Sequence, residues 1–433
     1  MELFHQDLIT YICGNVERQS DFERTSRLIN KSEKSDFDFN FPGPSKINIW
    51  KKCASIDGKE PSFEGLINLN QEPSNVDFSK SFIWPISAVR SIDSNIFLKL
   101  DRTFVCNSII KQICTQGIVV TSTKDQSKIS LVNCEFLRKA TPNSIGNLNK
   151  LRVSQVCLAL QRLLSTCNYN VSKDDAKYNF KVGLSDANHL KKNPNDFPLK
   201  VGQVVDKNPN KIKDIYNLTD LYDLIFDKMA SIARERDAKC SEYELLWQTK
   251  IVASSEIQVL LLSKNIDRAV TLPNLEKQSD AASMPSDASF MLYNYARIVQ
   301  LLKAFSCRKE KYGDILPIDE VEFTYLLEQE EWNIVFNALI PYQELIREIS
   351  SLQFESAKSQ ENINKCLSQI CLLLIKLSNV YSKYYRRVRV LREGPQSDSV
   401  IQVLNARLYL LMAIKTVYDH AFYILDIHPI NAM

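Results

Sequence analysis

Leu404-Asn405-Ala406-Arg407-Leu408-Tyr409-Leu410-Leu411-Met412-Ala413-Ile414-Lys415-Thr416-Val417-Tyr418 decides the class of the fold. Its apolar residues Leu404, Leu408, Leu411, Ile414, Val417 and Tyr418 recur at steps of three and four, the period of a helix with one face in a core. Leu326, Leu327, Trp332, Val335, Phe336 and Leu339 make a second apolar stripe. Such stripes are packing surfaces rather than cofactor boxes. From Tyr216 almost to the end the pattern predicts helices, with breaks near Pro273, Pro285, Pro317, Pro341 and Gly394-Pro395. Glu328, Glu330 and Glu331, beside Trp332, read as a solvated face opposite the second stripe.

Toward the N-terminus the texture changes. Residues 1–120 mix short helix-like and strand-like runs punctuated by Asn, Ser, Asp and Pro, notably from Asp36 to Lys46, and predict a small α+β domain. Ile96-Phe97-Leu98-Lys99-Leu100 alternates as a strand does, and Thr103 to Ile113 follows as a helix on Val105, Ile109, Ile110 and Ile113. A β-like run from Ile129 to Val132, a loop at Thr141-Pro142-Asn143-Ser144 and a helix from Leu151 to Cys167 come next, one half of a Rossmann-type sheet. Residues 168–215 are rich in Lys, Asn, Asp and Pro, so any sheet there is expected to be truncated.

Composition narrows the function classes. The chain has 433 residues, 45% of them hydrophobic and 24% charged, enough for two or three packed domains. With 54 Lys and Arg against 51 Asp and Glu the formal net charge is only +3, so a nucleic-acid surface must be local. Eleven cysteines without a C-x-x-C pair read as buried thiols of a reducing compartment. The N-terminal residues Met1 to Asp7 carry no basic flank before an apolar block, which points to the cytoplasm. The longest apolar stretch, Ile370 to Leu377, falls far short of the roughly 20 residues a membrane span needs.

Catalytic motifs are not found. The four histidines, His5, His189, His420 and His428, fall in no zinc spacing, so no metal is expected. No phosphate-binding glycine loop, nucleophile elbow or kinase motif is present, and with 10 glycines no cofactor is expected. One local charge concentration stands out, Lys383-Tyr384-Tyr385-Arg386-Arg387-Val388-Arg389-Val390-Leu391-Arg392. Interleaved cations and tyrosines suit phosphate contacts with stacking on unpaired bases. The same run equally suits a helix end whose cations complement the dipole while its tyrosines pack inward.

The helical half resembles the DALR anticodon-binding domain at the end of arginyl-tRNA synthetases. Tyr293-Asn294-Tyr295-Ala296-Arg297-Ile298, Tyr381 through Leu391, Asn405-Ala406-Arg407-Leu408, Ala413 to Val417 and Leu425 through Met433 match that domain's motifs in order. More faintly, Asn95 to Ile113 is similar to the end of the synthetases' N-terminal additional domain, which touches the tRNA D-loop. Asn143 to Val171 resembles the strand, loop and helix that bear the class I H-x-G-H motif. Aligning Leu151-Arg152 with that motif's neighbours puts Asn147-Leu148-Asn149-Lys150 where the histidines should be. No K-M-S-K-S loop follows, and 168–215 is too short for the catalytic domain.

The resemblance therefore implies an α+β N-terminal part, a degenerate synthetase-like centre and an all-α DALR bundle. It divides the chain into 1–120, a residual β-α segment at 121–215, a helical connector at 216–285 and the DALR domain at 286–433. Phe290 to Arg297 and Glu330 through Pro341 are closer to a non-catalytic branch of this family than to the synthetases. That likeness implies an adaptor, not an enzyme, which recognises arginine tRNAs and hands them to a methyltransferase forming 3-methylcytidine in the anticodon loop, at position 32. The implied tRNA contacts are Lys383, Tyr384, Tyr385, Arg386, Arg387, Arg389, Arg392, Arg407 and Met433 for the anticodon stem-loop, with Asn95 and Lys99 toward the D-loop. Phe97, on the same strand, has a competing place in the core. Two other readings stand beside the adaptor, a divergent synthetase-like enzyme and a scaffold that never touches RNA.

Overall fold

The structure is a computed structural model that describes residues 1–13, 19–32, 36–53, 61–63, 66, 82–118, 120, 128–133, 147–171, 176–184, 196–205, 218–236, 241–272, 286–352, 354, 357–391 and 397–431. The chain forms two compact units, Met1–Ile109 with Glu322–Leu326, and Ile110–Val321 with Leu327–Met433. The expected breaks at Pro273, Pro285 and Gly394-Pro395 and the loop at Thr141 to Ser144 lie outside the described residues.

The first unit is α+β. Helix α1 (Glu2–Cys13) buries Phe4, Leu8, Ile9 and Ile12, one stripe at helical spacing. Next come α2 (Gln19–Ser26), β1 (Asn30–Lys31), β2 (Phe39–Pro42), α3 (Ile47–Cys53), β3 (Ile86–Ile92) and β4 (Asn95–Leu100). The strands form an antiparallel sheet in the order β1-β2-β4-β3. Asp93 and Ser94 close the β3–β4 hairpin with φ of 47° and 69°, the left-handed pair that a two-residue turn needs to match strand twist. Aromatic rings fill the core, with Phe4 stacked between Phe39 at 5.1 Å and Trp84 at 5.8 Å. Asp101 caps helix α4 (Arg102–Gln116) by accepting the Phe104 amide at 3.0 Å. Val105, Ile109, Ile110 and Ile113 are buried as their spacing implies.

The second unit holds more strands than the composition of 168–215 suggests. β5 (Lys128–Asn133), β6 (Asn170–Val171), β7 (Tyr178–Leu184) and β8 (Asp196–Val201) make a four-stranded parallel sheet in the order β6-β5-β7-β8. Composition hid these strands and alternation reveals them: Tyr178, Phe180 and Val182 are buried, as are Leu199 and Val201, with Lys, Asn and Pro between. Pro198 is tolerated because β8 is an edge strand. Phe354 closes one side of the sheet by meeting Tyr169, Tyr178 and Phe180 at 5.1, 5.5 and 5.3 Å.

Helix α5 (Leu148–Thr166) packs on β5 and β7 and begins in the stretch Asn147 to Lys150. Three of the polar side chains at its start take backbone partners. Asn147 Oδ1 caps the helix by accepting the amides of Asn149 and Lys150 at 2.9 and 3.3 Å, and Asn149 Oδ1 accepts the Val204 amide at 2.6 Å. Arg152, 0% exposed, donates to the carbonyls of Leu261, Gly202, Arg268 and Asn265 at 3.1, 2.5, 2.7 and 3.1 Å. These bonds tie α5 to the chain before β9 (Val204–Val205) and before β10 (Val270–Thr271), which pair in parallel. The two backbones approach so closely at Gly202 that an added Cβ would stand 2.3 Å from the Arg268 carbonyl oxygen.

The remaining described elements of this unit are mainly helical. In order come α6 (Leu218–Arg236), α7 (Glu242–Leu262), α8 (Asp287–Ser306), α9 (Gln329–Ile334), α10 (Ile340–Ser350), α11 (Ala357–Arg387) and α12 (Asp398–Leu425). A π-turn, Val335–Leu339, joins α9 to α10, so the break expected at Pro341 does not occur. A regular α-helix would set the proline ring against the carbonyl of Asn337, and the wider turn, in which the Ile340 amide bonds to the Val335 carbonyl, relieves that clash. By length and composition alone, segments of α11 and α12 could cross a membrane; 50% and 56% of those windows are buried within the bundle, the pattern of core helices. A buried Ser378 to Tyr418 hydroxyl bond of 2.7 Å links the pair. Of the described cysteines most are buried or half-buried, and Cys307 is exposed.

Candidate nucleic-acid interface

The last turns of α11 decide which residues of the basic run face solvent. Helical spacing turns Tyr381 and Tyr384 inward, to 0% and 1% exposure, and leaves Lys383, Tyr385, Arg386 and Arg387 outside. Tyr384 therefore presents no face on which a base could stack, a correction to the expectation for that residue. Burial raises the pKa of its phenol far above the ordinary value, and neither the Tyr381 nor the Tyr384 hydroxyl has a hydrogen-bond partner among the described residues. Arg386 and Arg387 stand in the last turn, where they complement the negative end of the helix dipole.

Arg407 is likewise corrected, from a tRNA contact to a buried strut. Its side chain, on α12, is 4% exposed, and its Nε donates to Glu331 Oε1 at 2.7 Å. One terminal nitrogen donates to the Arg389 carbonyl at 3.2 Å, and the other stands 3.9 Å from Glu328. Glu331 is 0% exposed, so it does not share the solvated face expected for the acidic cluster. Its carboxylate also accepts the Glu328 amide at 3.0 Å, completing a capping box at the start of α9. Burial raises the Glu331 pKa, and Arg407 opposes that rise without cancelling it. The pair fixes the chain leaving α11 against α9 and α12, and so sets where the exposed cations stand.

Between α9 with its π-turn and the end of α11 lies a groove of ≈ 650 Å³, lined by Gln329, Glu330, Asn333, Asn337, Val380, Lys383, Arg386 and Arg387. Arg387, with a side chain 73% exposed, pairs with Glu330 across it. Arg386 is held along its own helix by an Nε bond to the Ser382 carbonyl at 3.2 Å. Nearby, the guanidinium of Arg297 on α8 lies between two rings, 4.0 Å from the centre of Tyr293 and 4.5 Å from that of Tyr385. Tyr385 is 38% exposed and is the tyrosine of the run that reaches solvent.

Sequence reasoning did not single out the amide wall Gln329, Asn333 and Asn337. Its signal was spacing, three side-chain amides at successive steps of four residues on the helix that also carries the Trp332 stripe. The structure brings Lys383, Tyr385, Arg386, Arg387 and the exposed Arg389 to one end of α11. Arg392 and Met433 lie outside the described residues. Asn95 and Lys99 are on β4 of the other unit, both half-buried, and Asn95 Oδ1 accepts Lys46 Nζ at 3.2 Å. Phe97 is 7% exposed and packs at 5.6 Å from Phe37.

Comparison with known proteins sets these residues in a family context. Residues 291–433 match the family described as DALR anticodon binding domain. The chain is 29% identical over 184 residues to DALR anticodon-binding domain-containing protein 3 of Danio rerio, covering 42% of this chain and 32% of that protein. It is 28% identical over 145 residues to the protein of the same name from Rattus norvegicus, covering 33% and 26%. The matched region thus spans a third or less of these relatives' length. Among solved structures, arginyl-tRNA synthetase from Plasmodium falciparum superposes with a TM-score of 0.57 over 94% of both chains at 9% identity, a likeness of fold alone. The chain thus has a fold like that of an arginyl-tRNA synthetase, its residues 291–433 match the DALR anticodon binding domain family, and the curated relatives it resembles are named for that domain.

Proposed function

We propose that this protein is a non-catalytic tRNA-binding adaptor of the cytoplasm, which recognises arginine tRNAs and delivers them to a methyltransferase for 3-methylcytidine formation in the anticodon loop. The observation that carries the tRNA reading is the exposed cluster Lys383, Arg386 and Arg387 on a groove within the DALR domain, with Tyr385 and Arg389 beside it. Cations in such a cluster neutralise phosphates and position an RNA, and an exposed ring offers a stacking platform. The non-catalytic part is supported by the start of α5, where the resemblance puts Asn147 and Lys150 at the places of the reacting histidines and where Asn147 is taken up as a helix cap by the amides of Asn149 and Lys150. The methyltransferase partner rests on the sequence resemblance of Phe290 to Arg297 and Glu330 through Pro341.

The test joins binding to outcome. The triple charge reversal K383E/R386E/R387E should weaken binding of arginine tRNA at least tenfold. It should also flatten the slope of log K against log salt by about 0.7–0.9 for each phosphate that the variant no longer neutralises. In cells carrying that variant, 3-methylcytidine should fall in arginine tRNAs and persist in others. Unchanged affinity and an unchanged 3-methylcytidine profile would refute the proposal.

A further inference from the structure

The groove between α9 and the end of α11 has a composition that phosphate binding alone does not explain. One wall, from α11, carries Val380, Lys383, Arg386 and Arg387, and the other carries Gln329, Glu330, Asn333 and Asn337. Cations serve any phosphate and carry no sequence information. Side-chain amides are different, because each offers a donor and an acceptor and so matches the edge of a nucleobase. The Gln329 Nε2 to Asn333 Oδ1 bond of 3.1 Å sets the first two amides in a fixed relative orientation. A regular α-helix would rotate residues four apart by ~40°. The π-turn that begins at Val335 winds more widely, and Asn337 lies within it. Single π-turns within α-helices concentrate at functional sites, and this one lies in the wall of the groove.

Resting on the tRNA-binding reading, we propose that the groove receives a single unstacked nucleotide from an RNA loop. Its phosphate lies against Lys383, Arg386 and Arg387, its base face lies on Val380, and its base edge meets Asn333 and Asn337. The volume, ≈ 650 Å³, is within the range of small-ligand sites and admits one nucleotide. Glu330 has a defined part in this arrangement. It pairs with Arg387, and its side chain is 13% exposed while that of Arg387 is 73% exposed. An arriving phosphate must take Arg387 from it. Glu330 therefore acts as a competing internal anion that lowers affinity for every sequence alike, while the amides decide which base is preferred.

The two walls make opposite predictions, which one experiment separates. Wild type, E330Q and N333A/N337A are compared by fluorescence anisotropy with short single-stranded oligoribonucleotides differing at one central base, across a salt series, with arginine tRNA as reference. E330Q should bind every oligonucleotide several-fold more tightly. N333A/N337A should keep the salt slope and lose about tenfold of the ratio between the best and the worst central base. A parallel urea titration confirms that the variants are folded. If N333A/N337A keeps the wild-type base preference, or E330Q binds no better, the nucleotide site is overturned while tRNA binding by the chain stands. Tighter binding of an acidic peptide than of any oligonucleotide would also overturn it, in favour of a protein ligand. Absence of wild-type binding to any RNA would remove the function reading and this site together.

Discussion

Replacing either member of the buried pair Arg407 and Glu331 should cost far more than replacing both. Glu331 is 0% exposed and the Arg407 side chain 4% exposed, with 2.7 Å between Nε and Oε1. Arg407→Met leaves a carboxylate in the interior with the Glu328 amide as a hydrogen-bond donor at 3.0 Å, and Glu331→Leu leaves a guanidinium there. Stranding one charge in this way costs ~3–5 kcal/mol, whereas an apolar pair of similar volume is near neutral. The double variant should therefore be several kcal/mol more stable than the sum of the singles implies, a coupling of ~3 kcal/mol. Urea unfolding of wild type, both singles and the double supplies the cycle, with the fluorescence of Trp332, adjacent to Glu331, as one probe. Arg407 also holds the Arg389 carbonyl at 3.2 Å, so Arg407→Met should weaken tRNA binding through the displaced helix end, although Arg407 itself is buried. Single and double effects that add within ~0.5 kcal/mol would refute the reasoning, because independent sites add and coupled ones do not.

Two further perturbations probe the same unit. Arg152→Met removes a cation that serves four carbonyls, and should lower unfolding stability by ~3–5 kcal/mol. Arg152→Lys should rescue little, since an ammonium cannot reproduce the planar fork, and a rescued urea midpoint would contradict this. Glu256, on α7, accepts the Ser289 amide and hydroxyl and the Ala288 amide at the start of α8. Burial raises its pKa from 4.5 to about 7 against those hydrogen bonds. The folded state thus holds the proton more tightly than the unfolded state, so this contribution to stability is complete below pH 4.5 and is lost as pH rises toward 7. Glu256→Gln should remove that slope, a change of about 3 kcal/mol in the difference between variant and wild type from about pH 4.5 to 7.5, and parallel pH profiles would disprove the assignment.

Much of the architecture was legible in the order of residues alone. The helical half follows from stripes such as Leu404, Leu408, Leu411 and Ile414, because a helix period is a property of the local chain. β4 and the helix after it follow for the same reason. The parallel sheet was missed where Lys, Asn and Pro dilute β7 and β8, since composition averages over the alternation that marks a strand. Pro341 was read as a break because its effect on a regular helix is local and well defined, while the π-turn that accommodates it depends on packing around α9 and α10.

The candidate site divides along the same line. Sequence by itself determined that cations and tyrosines gather between 383 and 392 and that a DALR-like domain contains them. It left open which of them face solvent, since a helix turns by ~100° per residue and only its neighbours define inside and outside. Tertiary structure decided that Tyr384 and Arg407 are interior and that Glu331 leaves the acidic face to neutralise Arg407. It alone opposed the amides of α9 to the cations of α11 across one groove, because those residues are far apart in the chain and meet only when both helices pack on a common core.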